Sequence, residues 1–264
     1  MNPLLAWVEH DLPAATLDER LALARTHALA LEVAHKDDDR ARRVRDAGLP
    51  IVTLQAWKLH EVQPIHPDRS VRSAAYAHLV ATIELAAELG VPRVLAIAGY
   101  GNEICADPFD EARSFFRFVA PIAREKEVRV LIEPLSPLRC AALTAPMVLA
   151  RLLDEIGSPD VFSSAIDTGH VIDSGREVGD YLARWPHAVA ELQLKGKGSS
   201  PPELDVPLAK WLARLRQKPE VVCVEHRLPI EERDFVLLLE HLRAEIGRGA
   251  AGGADGPQPP HTPS

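Results

Sequence analysis

Short apolar runs alternate with longer amphipathic stretches along most of this chain. Leu4–Val8, Leu29–Ala34, Ile51–Ala56, Val94–Ala98, Val128–Ile132, Val161–Ile166, Ala188–Leu194 and Val221–Val224 have strand length and are rich in Val, Ile and Leu. Near-continuous apolar runs of this kind suit strands buried on both faces of a parallel sheet. Between them the pattern predicts helices near Leu17–His27, Asp38–Ala47, Asp68–Leu89, Pro108–Glu125, Ala145–Ile156, Val178–Trp185, Pro207–Leu215 and Glu232–Ile246. In the third of these, Val71, Ala75, Leu79, Ile83 and Ala86 recur at helical spacing. Thr16 and Glu19 are spaced as a capping box, and Gly48, Gly90 and Gly157 stop three of the helices.

Strand followed by helix, eight times over, predicts a single (β/α)8 TIM barrel covering residues 1–247. A doubly wound open sheet is the structural alternative. No glycine-rich phosphate fingerprint follows the first strand, so a dinucleotide fold has no specific support. Residues 248–264 are rich in Gly, Ala and Pro, and a disordered tail is expected there.

A barrel collects function at the C-terminal ends of its strands. Polar residues gather there in this sequence: Glu9 and His10, His35 and Lys36, Gln55, Tyr100, Glu133, Asp167 with His170, Gln193 with Lys195, and Glu225 with His226. One acidic residue at a strand end is usually a surface group. Glu133, Asp167, Gln193 and Glu225 close four consecutive strands, and side-chain alternation puts each on the face that would ring the barrel mouth. Carboxylates gathered so closely repel one another unless a cation joins them. Of the tryptophans, Trp7 and Trp57 lie near strand ends and are candidates to wall a pocket or to fill the core.

Composition narrows the classes. At 264 residues and 47% hydrophobic content the chain can bury a large core. Its net charge of −8 argues against non-specific nucleic-acid binding. Cys105, Cys140 and Cys223 form neither a disulfide framework nor a zinc motif. The first ten residues lack a basic signal-peptide region, and no uncharged apolar run approaches the roughly 18 residues of a membrane span. A cytoplasmic protein without membrane contact is expected.

The order of Ile132-Glu-Pro-Leu135, Thr144 and Ile166-Asp-Thr-Gly-His170 resembles the xylose isomerase-like TIM-barrel superfamily, in particular the sugar phosphate isomerase/epimerase group with tagatose epimerase and hydroxypyruvate isomerase. Ala86–Val94 is similar to that family's third helix leading into strand four. The resemblance implies one divalent metal ion held by Glu133, Asp167, Gln193 and Glu225. It also implies acid and base roles for Glu133 and Glu225, and His170 at the developing oxyanion. Lys195, Gln55, Trp57 and His10 would contact the substrate.

Gln193 stands where the family has a histidine, Ser136 where it has an asparagine, and Gly196-Lys-Gly198 replaces a turn that usually carries Asp. An all-oxygen ligand set would favour Mn²⁺ or Mg²⁺ over Zn²⁺. The activity implied is isomerisation or epimerisation of a small carbohydrate-like keto compound through an enediolate. Alternatives are a dehydratase or lyase on the same site, and a non-catalytic ligand-binding barrel. A DNA-repair endonuclease, a histidine-rich design, is opposed by Gln193, Gln55 and the acidic charge. A homo-oligomer is also possible on the family pattern.

Overall fold

Eight parallel strands close on themselves in sequence order in the computed structural model, which describes residues 2–251. They are β1 (Leu4–Val8), β2 (Ala30–Ala34), β3 (Ile51–Gln55), β4 (Arg93–Ile97), β5 (Arg129–Glu133), β6 (Phe162–Asp167), β7 (Val189–Leu194) and β8 (Val221–Val224). The ring closes where Leu4 of β1 stands opposite Val221 of β8. Around it run α1 (Leu17–Thr26), α2 (Asp38–Asp46), α3 (Arg69–Leu89), α4 (Pro108–Glu125), α5 (Pro146–Ile156), α6 (Thr168–Asp173), α7 (Val178–Arg184), α8 (Leu208–Leu212) and α9 (Glu232–Ala251). The fold is therefore the (β/α)8 barrel, and the open-sheet alternative is excluded by the β1–β8 pairing. Helix α9 runs past residue 247, and the rest of the Gly-, Ala- and Pro-rich segment lies outside the described residues.

Local chemistry explains the boundaries. The Thr16 hydroxyl accepts from the Glu19 N–H, and the Glu19 carboxylate accepts from the Thr16 N–H, so the capping box forms. Asp68 caps α3, and Gly90 ends it with the left-handed backbone that only glycine adopts without strain. The six-residue α6 is not legible in the pattern. It starts because Asp167 accepts from the Gly169 N–H directly after β6.

The outward faces of the strands pack with the helices into one large core. The inward faces hold two separate small clusters, Ala6, Val8, Ala30, Val52, Val221 and Cys223 on one side, Leu95, Leu131, Ala165 and Ala190 on the other. Small side chains suit the narrow lumen of an eight-stranded barrel. Glu32, Thr53 and Glu191, all fully buried, share this interior. Register shifts at Leu31/Glu32 and at Ser164/Ala165 adjoin these polar positions. Among the described residues, no helix is long and apolar enough to cross a membrane.

Trp7 belongs to the core and does not wall the cavity. It is fully buried, with its ring 4.8 Å from Phe235 of α9 and 5.9 Å from His226 after β8. It thus fastens the final helix against the first strand, at the seam of the barrel. Replacing a buried tryptophan by alanine removes that packing and leaves a cavity. Trp7→Ala is expected to lower the unfolding free energy by about 3–5 kcal/mol, read from urea denaturation. A loss below about 1 kcal/mol would show that the seam does not depend on this ring.

Candidate active site

A cavity of about 370 Å³ opens at the C-terminal ends of the strands. Its walls include His10, Gln55, Trp57, Glu133, His170, Lys195 and Glu225, so every expected catalytic and substrate-contacting residue meets there. Asp167 and Gln193 lie beneath, fully buried.

The strands explain why these side chains converge. Glu133 ends β5 and Asp167 ends β6, while Glu225 follows β8 directly. On β7 the inward alternation is Glu191 and Gln193, continued by Lys195 directly after the strand, from the lumen up to the mouth. His170 lies on α6 one turn beyond Asp167, and its Nε2 is 3.4 Å from Glu133 Oε1 and 3.8 Å from Asp167 Oδ2.

Lys195 is the centre of this arrangement. Its ammonium is ion-paired with Asp167 Oδ2 and lies 3.1 Å from Glu225 Oε1. Its backbone is pinned as well: the Lys195 N–H donates to the Thr168 hydroxyl, which donates in turn to the Lys195 carbonyl. The aliphatic stem passes Gly169 so closely that a Cβ there would stand 2.8–2.9 Å from three of its carbons.

Burial raises the pKa of Glu133 well above the carboxylate range, and the charges of Asp167 and Glu225 add to it. Burial also works to raise Asp167, but the Lys195 ammonium, His170 and the Gly169 N–H outweigh it and hold the group low. For Lys195, burial alone would favour the neutral amine. The facing Asp167, Glu225 and Glu133 carboxylates prevail and keep it protonated. Burial lowers the pKa of His170, against the Asp167 charge that raises it.

Gln193 is tied to the lumen through one end of its amide. Its Nε2 donates across the lumen to Glu32 Oε1 at 2.9 Å, and its Oε1 accepts no hydrogen bond. Gln55 Nε2 donates to the same Glu32 oxygen at 2.6 Å, while Thr53 donates to Glu191 at 2.6 Å. Beneath the site there is thus a second polar layer, Glu32 and Glu191 with three donors, that the strand-end pattern does not reveal. Its signal in the sequence is a Glu interrupting an apolar run, Leu31-Glu32-Val33 and Ala190-Glu191-Leu192.

Around the upper wall His10 is held neutral, its pKa lowered to about 3 by burial and by the cations Lys36, Arg40, Arg20 and Arg227. Asp11 is pushed up to about 7, chiefly by burial. Lys36 stacks its ammonium 4.3 Å from the centre of the Trp57 ring, which fixes that wall. Glu9, by contrast, serves the fold: it is fully buried between Arg20 at 2.8 Å and Arg40 at 3.2 Å.

Glu133, Asp167 and His170 each offer an atom within 4.8 Å of one another, a grouping that could hold a metal ion, as could Glu32, Glu191 and Cys223 in the lumen. The four-ligand set expected of a resident divalent ion does not fit this arrangement. Asp167 and Glu225 are ion-paired with Lys195, Glu225 is not part of the converging group, and Gln193 gives its Nε2 to Glu32, leaving one neutral Oε1 where the family has an imidazole.

A closed parallel barrel with carboxylates, a lysine and a histidine lining a cavity at its mouth defines a (β/α)8 protein with a candidate active site. The family model for xylose isomerase-like TIM barrels matches residues 16–244, and the chain belongs to that family. No curated protein matches the sequence. Among solved structures it is similar to an L-ribulose 3-epimerase (17% identity, 97% of this chain and 100% of that one covered, TM-score 0.73). It is also similar to a D-tagatose 3-epimerase-like protein (15%, 96% and 100%, TM-score 0.74). A third likeness is to 3-keto-D-glucoside 4-epimerase from E. coli (12%, 92% and 98%, TM-score 0.70). At these identities the likeness concerns the fold.

The buried carboxyl pair gives a test of the lower layer. Burial and the neighbouring Glu191 raise Glu32 well above the ordinary carboxylate pKa. As pH rises, the unfolded chain ionises this group first, so stability falls until the folded group ionises as well. Glu32→Gln removes that dependence, keeps an acceptor for Gln55, and supplies an N–H towards Glu191. Its melting temperature is expected to decline less than that of the wild type from roughly pH 5 to pH 8. Parallel curves for the two proteins would show that Glu32 does not carry a proton in the fold.

Proposed function

We propose that this chain is a sugar isomerase or epimerase that moves a proton on the carbon next to a carbonyl of a small ketose. The observation that carries the reading is the pair Glu133 and Glu225. They enter one cavity from β5 and from the end of β8, with Lys195 and His170 between them. Two carboxyl groups on different sides of a bound sugar can act as base and acid.

In this reading one carboxylate takes the proton from the carbon that bears the hydroxyl. The C–H electron pair forms the enediolate double bond, and the carbonyl pair moves onto oxygen. The other group, as a carboxylic acid, returns a proton. Return to the opposite face of the same carbon inverts it; return to the neighbouring carbon, with the hydroxyl proton passing to the former carbonyl oxygen, exchanges ketose for aldose. Glu133 suits the base role, because burial and the charges of Asp167 and Glu225 raise its proton affinity, which makes its carboxylate a stronger base. The Lys195 ammonium and the His170 imidazole face the space where the enediolate oxygen gains charge, and preorganised donors there lower the barrier. Gln55, Trp57 and His10 would contact the sugar from β3 and the β1 end of the ring. Mn²⁺ or Mg²⁺ enters no step of this mechanism, since the ligand set does not fit.

The test is deuterium wash-in from D₂O into a panel of ketopentoses and ketohexoses, followed by proton NMR. It detects the proton transfer whatever its stereochemical outcome. Wild type is expected to exchange a single carbon-bound proton beside the carbonyl. Glu133→Gln and Glu225→Gln are each expected to slow exchange by about 10²–10⁴-fold with the fold intact by circular dichroism. Unchanged exchange in both variants would remove the two residues from the mechanism. Sugar binding without any exchange in the wild type would favour the ligand-binding alternative.

A further inference from the structure

We infer that the Lys195 ammonium is the resident cation of this site, seated where a divalent metal ion is expected, and that the chain works without such an ion. The part of this inference that concerns turnover rests on the function proposed above; the part that concerns metal binding does not.

Three independent features of the chain support it. The first is the ion pairing itself. Lys195 contacts Asp167 and Glu225, two of the four residues that the metal reading assigns to the ion, and its side chain is only 5% exposed. An ammonium has three N–H donors, so it can hold two carboxylates and still present a donor to a substrate oxygen.

The second is the fate of Gln193. A neutral amide has replaced the family's imidazole, and its donor is spent on Glu32 in the lumen. That bond serves the barrel interior, where Gln55 is the other amide that donates to Glu32. Its Oε1 accepts no hydrogen bond, so this position offers a single neutral oxygen in place of an imidazole nitrogen.

The third is a built seat for the lysine. Thr168 bonds both the N–H and the carbonyl of Lys195, and Gly169 leaves room for its stem where any Cβ would meet three of its carbons at 2.8–2.9 Å. The segment Asp167-Thr168-Gly169 thus supplies a carboxylate partner, a backbone clasp and a clearance to the same side chain. A divalent ion bound by Glu133, Asp167 and His170 would share Asp167 with this ammonium and be repelled by it.

The ammonium carries one positive charge where a divalent ion carries two. It would steady the enediolate oxygen by hydrogen bonding and charge, without binding two substrate oxygens as ligands. No electron transfer or co-reactant is involved, and the proton balance is that of the two carboxyl groups.

The experiment uses the full chain, treated with EDTA and dialysed. Mn²⁺ is titrated in by calorimetry and by the loss of its free EPR signal, and melting is followed with and without Mn²⁺ and Mg²⁺. Wild type is expected to take up no stoichiometric Mn²⁺ at millimolar concentration, to show no shift in melting, and to keep its deuterium exchange in EDTA. The double variant Lys195→Met with Gln193→His frees Asp167 and Glu225 and restores an imidazole, so it is expected to gain one Mn²⁺ per chain.

One tightly bound Mn²⁺ in wild type, with a rise in melting temperature, would overturn the inference whatever the enzyme does. A folded double variant that still ignores Mn²⁺ would also overturn it, because Lys195 would not be what excludes the ion. Should the double variant not fold, Gly169→Ala, which crowds the lysine stem, is expected to lower exchange by tenfold or more in the wild-type background; unaltered exchange would deny the seat. Absence of exchange in wild type with and without Mn²⁺, together with a null titration, would sink the proposed reaction and leave the cation assignment standing.

Discussion

A carboxylate removed from water is costly unless a cation or several donors replace its hydration. This barrel turns Glu32, Glu133, Asp167, Glu191 and Glu225 inward, and most of its polar architecture answers that one constraint. In the lumen the answer is neutral: Gln55 and Gln193 donate to Glu32, Thr53 donates to Glu191, and burial, with the neighbouring Glu191, raises the proton affinity of Glu32. At the mouth the answer is ionic, with one lysine serving Asp167 and Glu225. Glu133 is left with His170 at 3.4 Å and a raised pKa, the least compensated carboxyl at the mouth. A carboxyl whose proton affinity is raised by burial in a cavity is a candidate acid–base group.

Much of this is legible in the amino-acid sequence. Apolar runs of strand length alternating with helical periods specify a parallel sheet, and eight of them are enough to close one. Closure then aims every strand end at one mouth, so Glu133, His170, Lys195, Gln55, Trp57 and His10 meet without further information. What escapes the pattern depends on contacts between strands distant in sequence. Gln193 finds its partner on β2, Glu191 finds its own on β3, and no spacing along β7 encodes either choice. Trp7 suits core or pocket wall equally by position, and the packing of the outward face of β1 against α9 decides for the core. Helix α6, at six residues, is too short for a period to emerge.

The inner face of β7 links the two answers. Glu191, Gln193 and Lys195 follow one another at alternate positions, acidic, neutral and basic from lumen to mouth. Each meets a complement from another part of the ring: Thr53 for the first, Glu32 for the second, Asp167 and Glu225 for the third. A slip of one residue in this strand would turn all three outward into the helical layer and leave their partners unpaired at once. Register is thus enforced by polar matching inside the barrel as well as by apolar packing outside it.

The same strand shows why Gln193 and Lys195 are best understood together. An imidazole at 193 committed to a metal ion would withdraw a donor from Glu32 and leave Gln55 as the amide bonded to it. With glutamine there, the lower layer is served, and the upper layer needs a cation from elsewhere. Lys195, two residues on and on the same face, is within reach, and Gly169 gives its stem room. Gln193 thus stands between the acidic floor, to which it donates, and the lysine at the mouth, two residues on. The chemistry open to the site follows from it: a monovalent, hydrogen-bonding cation beside a carboxyl of raised proton affinity favours moving protons on a bound substrate.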